Sequence, residues 1–281
     1  MNQWFTEEED NSIRYSYAVT QRLFKEKSEF QEVEVIDTIA NGRMLIIDGF
    51  VMLSERDEFV YHEMISHIPV SLHSAPRKIG VIGGGDGGTL RELLKHDIVE
   101  HVVLCEIDAM VVDVSKKYFP QVAAQLDSPK VDVKIGDGIA YMHTLDKEFD
   151  VIIIDSTDPI GPGEGLFTGE FYKSVARALK PGGIMVAQSE SPWANSSMIS
   201  KIHENLSEGF KFIKPYIGSI PTYPRGLWSW SLASQSEIIP SKLRGSRIEQ
   251  VSPNLQYLSS DLAVAAFSLP KFYQDKLVYA K

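Results

Sequence analysis

The sequence predicts an α/β protein in two parts: a small antiparallel β-domain over residues 1–68 and a doubly wound domain, built on a mostly parallel sheet, over residues 69–281. Three observations predict it. Between Tyr15 and Leu53, apolar and polar residues alternate and tight-turn dipeptides punctuate them. From Lys78 onward, short apolar runs alternate with helical stretches. Between the first such run and the first such helix lies a glycine-rich turn, Gly83-Gly84-Gly85-Asp86-Gly87-Gly88.

In the first part, Glu32-Val33-Glu34-Val35-Ile36 has the period of a half-buried strand. Asn41-Gly42 marks a tight turn, and Arg43-Met44-Leu45-Ile46-Ile47 ends at Asp48-Gly49, a hairpin dipeptide. A helix is predicted over 58–68, stopping before Pro69, because proline lacks the N–H and disfavours helical geometry in the residue before it. In the second part, buried-type strands are predicted at 79–82, 101–105, 131–135, 151–154 and 183–187. Helices are predicted at 89–94, 109–118 and 169–179, the last closed by Lys180-Pro181-Gly182-Gly183. Phe210–Tyr216 and Trp228–Ala233 read as late strands, the second antiparallel.

Composition narrows the function. The chain has 281 residues, 43% hydrophobic and 23% charged, an ordinary globular balance. A net charge of -10 speaks against nucleic acid or an anionic membrane as the main partner and is compatible with cationic substrates. No run approaches the roughly 18 apolar residues of a membrane helix. The N-terminus, with Glu7-Glu8-Glu9-Asp10, lacks the basic-then-apolar order of a secretory signal. The single cysteine, Cys105, follows Val102-Val103-Leu104 and reads as a small core side chain, which fits a reducing cytoplasm.

The glycine turn fits the dinucleotide fingerprint Gly83-x-Gly85-x-x-Gly88, and Glu106 ends the next strand about 20 residues on, where a carboxylate accepts bonds from ribose hydroxyls. A nicotinamide dehydrogenase and a methyltransferase-like protein are equally served to this point. Asp86 separates them. A carboxylate inside the loop repels a pyrophosphate, which needs unopposed amide donors, but attracts a sulfonium nucleoside. Its plainer reading is a turn or helix cap. Asp137, in Gly136-Asp137-Gly138, follows the third strand and either accepts from an adenine amino group or makes an Asp-Gly turn. Asp155 and Asp158 follow the apolar run Val151–Ile154, at the carboxyl end of a strand, where open α/β sheets bind ligands. The Pro/Gly-rich segment that follows, within 159–168, is expected to be irregular, either a closing lid or a linker. His62 and His67 mimic a zinc-protease pair, but a spacing of five turns them about 140° apart on a helix. No metal and no cofactor is expected.

With these residues assembled, the chain resembles the spermidine synthases of the polyamine aminopropyltransferase family, essentially end to end. The resemblance begins at Trp4-Phe5-Thr6-Glu7 and runs through Phe30-Gln31, Leu45-Ile46-Ile47-Asp48-Gly49 and Asp57-Glu58-Phe59-Val60-Tyr61-His62-Glu63-Met64. It continues through the glycine turn, Cys105-Glu106-Ile107-Asp108, Gly136-Asp137-Gly138 and Asp155-Ser156-Thr157-Asp158-Pro159. It closes at Pro221-Thr222-Tyr223-Pro224 and Ala265-Ala266-Phe267-Ser268-Leu269-Pro270. The resemblance implies a Rossmann-like second domain of the class I methyltransferase type and a homodimer or homotetramer. It implies transfer of an aminopropyl group from decarboxylated S-adenosylmethionine, a co-substrate, to putrescine, giving spermidine and methylthioadenosine. By that similarity Gln31, Gly83, Gly85, Glu106, Asp137, Gly138 and Pro162 hold the thioadenosine part. Tyr61, His62, Asp86, Asp158 and Tyr223 line the amine pocket, and Asp155 accepts the proton.

Elementary chemistry agrees with those roles. An alkylammonium has a pKa near 10, so its lone pair is blocked at neutral pH, and a carboxylate in reach can take the proton as nitrogen attacks. Asp86 would also repel the carboxylate of ordinary S-adenosylmethionine. One departure is Arg225, where a small serine is more usual in the family; an outward direction is expected, since arginine is rarely buried unpaired. Trp228, near Tyr223, is expected to serve core packing. Other acceptors (agmatine, cadaverine), a small-molecule methyltransferase of the same fold and a non-enzymatic polyamine sensor are the alternatives.

Overall fold

The structure, a computed structural model, describes residues 3–9, 12–158, 161–243 and 245–277, with the backbone alone at Pro162. Strands β1 (Gln3–Glu8), β2 (Arg14–Lys27), β3 (Glu32–Thr38), β4 (Gly42–Ile47) and β5 (Phe50–Ser54) form a five-stranded sheet in sequence order. All its pairings are antiparallel. Asp48 and Gly49 take φ of 49° and 86°, and Ile47 pairs with Phe50, as a two-residue hairpin with a primed turn requires. β1 has no counterpart in the sequence reading. Its one fully buried residue is Glu7, so it carries no apolar alternation.

Helix α1 (Glu58–Leu72) corrects the expected stop before Pro69, since the helix runs through that proline. The ring forfeits one hydrogen bond, but every residue from Val60 to Ser71 is buried. Burial of Ile65, Ile68 and Val70 in the main core outweighs that loss. The chain then alternates through β6 (Lys78–Gly83), α2 (Gly88–Leu93), β7 (His101–Glu106), α3 (Ala109–Tyr118), β8 (Val131–Ile135), α4 (Gly138–His143), β9 (Phe149–Asp155), α5 (Gly169–Ala178) and β10 (Leu179–Gln188). It ends with α6 (Ser196–Ser207), β11 (Phe212–Gly218), β12 (Trp228–Ser234) and the short helices α7 (Arg247–Val251), α8 (Ser260–Ala265) and α9 (Lys271–Gln274).

These strands form a seven-stranded sheet in the order β11-β12-β10-β9-β6-β7-β8. The pairs from β10 to β8 are parallel, and β12 is antiparallel to both neighbours, as expected for the last strand. β9 shows why such strands read as continuous apolar runs. Val151 and Ile153 enter the core cluster that holds Met64, Ile65 and Leu90, whereas Ile152 and Ile154 enter the one that holds Phe171, Val175 and Ile202. Helices therefore cover both faces. The small sheet packs on α3, with Val33, Val35 and Leu45 against Val111 and Phe119. Among the described residues, no helix is long and apolar enough to cross a membrane.

Strand order reverses between β6 and β9, which lie side by side, and Gly83 at the end of one pairs with Asp155 at the end of the other. That is the topological switch point, where the loops diverge and leave a crevice.

Candidate active site

The glycine turn makes room for this crevice by removing side chains. A Cβ on Gly83, whose φ is +79°, would sit 2.2 Å from the Asp155 carbonyl oxygen. One on Gly85 would sit 2.9 Å from the Glu106 carboxylate oxygen Oε2. The backbone can thus lie directly on β9 and on the Glu106 side chain. Gln31, Tyr61, His62, Gly83, Gly85, Asp86, Glu106, Asp137, Gly138, Asp155 and Tyr223 all line one cavity at this point. A smaller cavity adjoins it, lined by Glu7, Asp158 and Trp228, and Tyr61 and Tyr223 border both. Trp228 therefore reaches the site as well as packing in the core. The Pro162 side chain, and Pro159 and Ile160, lie outside the described residues. The expected irregular segment instead contains a 3₁₀ helix, Gly161–Phe167. Its short hydrogen-bond span tolerates the glycines, and the buried Phe167 anchors it against the α5 core.

One half of the large cavity gathers the residues expected to hold a nucleoside. Glu106 accepts from the Gly85 N–H at 3.1 Å through Oε2 and from the Asp108 N–H at 2.9 Å through Oε1. Burial pushes its carboxyl up to about 7, against those backbone donors. Gln31 donates from Nε2 to Asp108 Oδ2 at 3.1 Å, and Asp108 caps α3 by accepting from the Met110 N–H. Asp137 caps α4, with Oδ1 accepting from the N–H groups of Ile139 (2.7 Å) and Ala140 (3.3 Å). The sequence reading offers an Asp-Gly turn or an adenine contact here, and the structure adds this N-cap, made through Oδ1 alone. A Cβ on Gly138 would lie 2.5 Å from Ile82 Cγ2, so only glycine fits there. Cys105 is buried in the core as expected and also lines this cavity.

The other half is acidic and aromatic. Asp155 accepts from the Tyr61 hydroxyl at 2.8 Å and from the Thr89 hydroxyl at 2.6 Å. Burial, and then the charge of Asp86, raise its carboxyl above the usual range. Asp86 Oδ1 accepts from the Gly88 N–H at 2.6 Å and lies 3.3 Å from His62 Nε2. Burial raises the Asp86 carboxyl, but the charge and hydrogen bond of His62 outweigh it and leave the group lowered. His62 Nδ1 meets Glu58 Oε2 at 2.6 Å. Burial lowers the imidazole, yet Asp86 and Glu58 together carry it up to about 10. The Tyr61 ring stands 5.9 Å from that of Tyr223, which stands 4.8 Å from that of Trp228.

The Asp158 and Glu190 carboxyl groups sit against each other, so a proton kept on one of them relieves their repulsion. Burial raises both, and Glu190 reaches about 9 with Asp158 beside it. Glu7 is pushed up to about 7 by burial, with a further contribution from Asp158. Glu190 holds a left-handed φ of 67°, and its carbonyl accepts from the Ser229 N–H and hydroxyl. Sequence reasoning missed Glu190, Glu7 and Thr89 as members of the site. Glu190 ends up just past β10, and the strand-end rule that selects Asp155 selects it too. Glu7, on a polar strand, gives no such signal.

Asp86 and Asp155 thus converge on one cavity, with Asp158 in its annex. Arg225 points outward as expected, pairing with Glu9 at 2.9 Å. His67 faces away from His62 and contacts Glu92 (2.9 Å) and His96 (2.8 Å). Among the described residues, no group of histidine, cysteine and carboxylate side chains is arranged to hold a metal ion.

Known proteins resemble this chain over nearly its whole length. Residues 58–242 match the spermine/spermidine synthase domain, and residues 3–55 match the spermidine synthase tetramerisation domain. A polyamine aminopropyltransferase of Thermoanaerobacter sp. (strain X514) is 46% identical over 275 residues, 98% of each chain. That of Bacillus subtilis (strain 168) is 42% identical over 272 residues, 97% of this chain and 98% of the relative. A spermidine synthase crystallised with the transition-state analogue AdoDATO superposes with a TM-score of 0.94 at 36% identity, covering 98% of this chain and 94% of that one. The spermidine synthase of Thermotoga maritima gives 0.92 at 36% identity, covering 99% and 94%.

Proposed function

The chain belongs to the spermidine synthase family of polyamine aminopropyltransferases, and from that premise we propose that it moves the aminopropyl group of decarboxylated S-adenosylmethionine to putrescine. The methyltransferase alternative is set aside by the family. In this reading Glu106 and Gln31 receive the ribose, and Asp137, Gly138 and Pro162 the adenine side. Gly83 and Gly85 give the sulfonium nucleoside a close backbone floor. Asp86 meets the aminopropyl ammonium of the donor through Oδ2. Putrescine lies along the rings of Tyr61 and Tyr223, its near nitrogen at Asp155 and its far ammonium at Asp158 and Glu7, with Glu190 behind Asp158 and His62 behind Asp86.

The single observation that carries this is the pairing of Asp155 with Tyr61 and Thr89, both donating to a buried carboxyl beside Asp86. A carboxyl raised by burial is a better match for removing an ammonium proton near neutral pH than an exposed one. Asp155 takes a proton from the near nitrogen, whose lone pair attacks the donor carbon attached to sulfur. The carbon–sulfur bond breaks, its electron pair stays on sulfur as the thioether of methylthioadenosine, and the new secondary ammonium keeps the positive charge. The sulfonium is itself the activated leaving group.

The test is methylthioadenosine release with decarboxylated donor and putrescine, cadaverine or agmatine side by side. Turnover should be highest with putrescine. Asp155→Asn should slow it by roughly 10²–10⁴-fold, the scale for losing a general base, while nucleoside binding survives. Unaltered turnover in that variant removes Asp155 from the reaction. The tetramerisation-domain match supports a homo-oligomer, with a homotetramer the form to look for by light scattering.

A further inference from the structure

A buried chain of alternating charge leads away from Asp86 into the protein. His62 bridges Asp86 and Glu58. Glu58 in turn takes a two-pronged contact from Arg91, with Nη1 donating to Oε1 and Nη2 to Oε2, each at 2.8 Å. Arg91 Nε also donates to Glu92 at 2.8 Å. Glu58 and Arg91 are absent from the lining of both cavities, so neither touches a ligand.

We propose that Glu58 and Arg91 are positioning residues for aminopropyl transfer: their fork holds the His62 ring in place, and the ring fixes Asp86 with Oδ2 turned to the donor's ammonium. Geometry alone sets the charge of that ring. Both nitrogens face carboxylate oxygens, so a neutral imidazole would set a lone pair against one of them. The ring is therefore an imidazolium, and the upward shift of His62 to about 10 agrees. The groups facing it are Glu58 from α1, Asp86 from the glycine turn, Arg91 from α2 and, further off, Asp155 from β9. The ring is buried and packs directly on Gly88, where a Cβ would lie 2.2 Å from its Cε1. The two Asp86 contacts both fall on Oδ1, which leaves Oδ2 as the oxygen presented to the cavity.

A fixed cation beside a pocket for cations needs a reason, and Glu58 supplies it. Without its charge the ring becomes either a cation balanced by Asp86 alone, which competes with the donor's ammonium for that carboxylate, or a neutral group that releases Asp86. Both outcomes weaken donor binding. Arg91 keeps Glu58 ionised and in one rotamer, because a bidentate fork fixes direction as well as charge.

This rests on the reading of Asp86 as the ammonium's partner, and the measurements separate the two. Nitrogen-15 NMR of the wild-type protein at about pH 7.5 is expected to show both His62 ring nitrogens protonated. A neutral ring overturns the proposal. In Glu58→Gln, the KM for decarboxylated S-adenosylmethionine should rise about 10- to 100-fold, the range for a lost hydrogen bond to a charged group, with kcat changed much less. Arg91→Lys keeps the charge but not the fork, and should raise the same KM by a smaller factor. If Glu58→Gln does not fold, an unchanged KM in Arg91→Lys overturns the proposal. Asp86→Asn that leaves the donor's KM unchanged overturns the reading of Asp86. A raised KM in Asp86→Asn with none in Glu58→Gln overturns the positioning role and leaves that reading standing.

Discussion

Replacing Tyr61 by phenylalanine deletes one hydroxyl and keeps the ring that packs against His62, Tyr223 and Trp230. The hydroxyl donates to Asp155 Oδ1 at 2.8 Å, and both residues are buried. A hydrogen bond to a buried charged group contributes about 1.5–3 kcal/mol, and all of it favours the ionised carboxylate. At about 1.4 kcal/mol per unit, its loss raises the Asp155 carboxyl by about one to two pH units. The sign follows directly. A base that binds its proton more tightly is idle up to a higher pH, so the acid limb of kcat moves upward by that amount. At pH values well above the limb, turnover recovers most of its wild-type value, because the base is again ionised. The assay is methylthioadenosine release at saturating substrates across the pH range, in wild type and Tyr61→Phe. An acid limb that stays where it was, with turnover lowered equally at every pH, would refute the argument and make Tyr61 a packing residue.

Glu190→Gln neutralises the acid that backs Asp158, and the KM for putrescine should rise about 10- to 100-fold, with the donor's KM little changed; an equal rise in both would detach Glu190 from the acceptor's end. Stability of the unliganded protein should fall as pH rises. Glu7 and Glu106, each raised to about 7, and Glu190, raised to about 9, contribute stability that is complete below the ordinary glutamate value of 4.5 and is lost through 7 and then 9. His62, raised to about 10, acts in the same direction. A melting temperature that climbs from pH 6 to 9, read by differential scanning fluorimetry without ligand, contradicts this.

Much of this architecture is written locally, and what is not has a physical reason. β9 is legible because all its residues are buried, which turns its sequence into an apolar run ending in a carboxylate. The hairpin at Asp48-Gly49 is legible because few residues other than glycine, asparagine and aspartate accept positive φ. β1 is not, because its one inward side chain is the acid Glu7. Pro69 misleads because local propensity is weak beside the burial of a whole helix. Asp86 lends itself to two readings, ligand and turn residue: its Oδ1 meets the Gly88 N–H and His62, as a turn residue's does, and the proposed ligand role depends on Oδ2. The Asp158–Glu190 pair is invisible along the chain. Its members belong to neighbouring strand ends, and only the sheet order brings them together.

The small sheet has a role beyond covering α3. It delivers Gln31 to the nucleoside end of the large cavity and Glu7 to the far wall of its annex, so one rigid plate carries both jaws of a caliper. Hydrogen bonds running continuously from β1 to β5 prevent the jaws from spreading independently. On the proposed function, donor and acceptor laid end to end are gauged against a span set outside the catalytic sheet. On that reading, an acceptor with extra methylenes would have to fold its chain or shift this sheet as a whole.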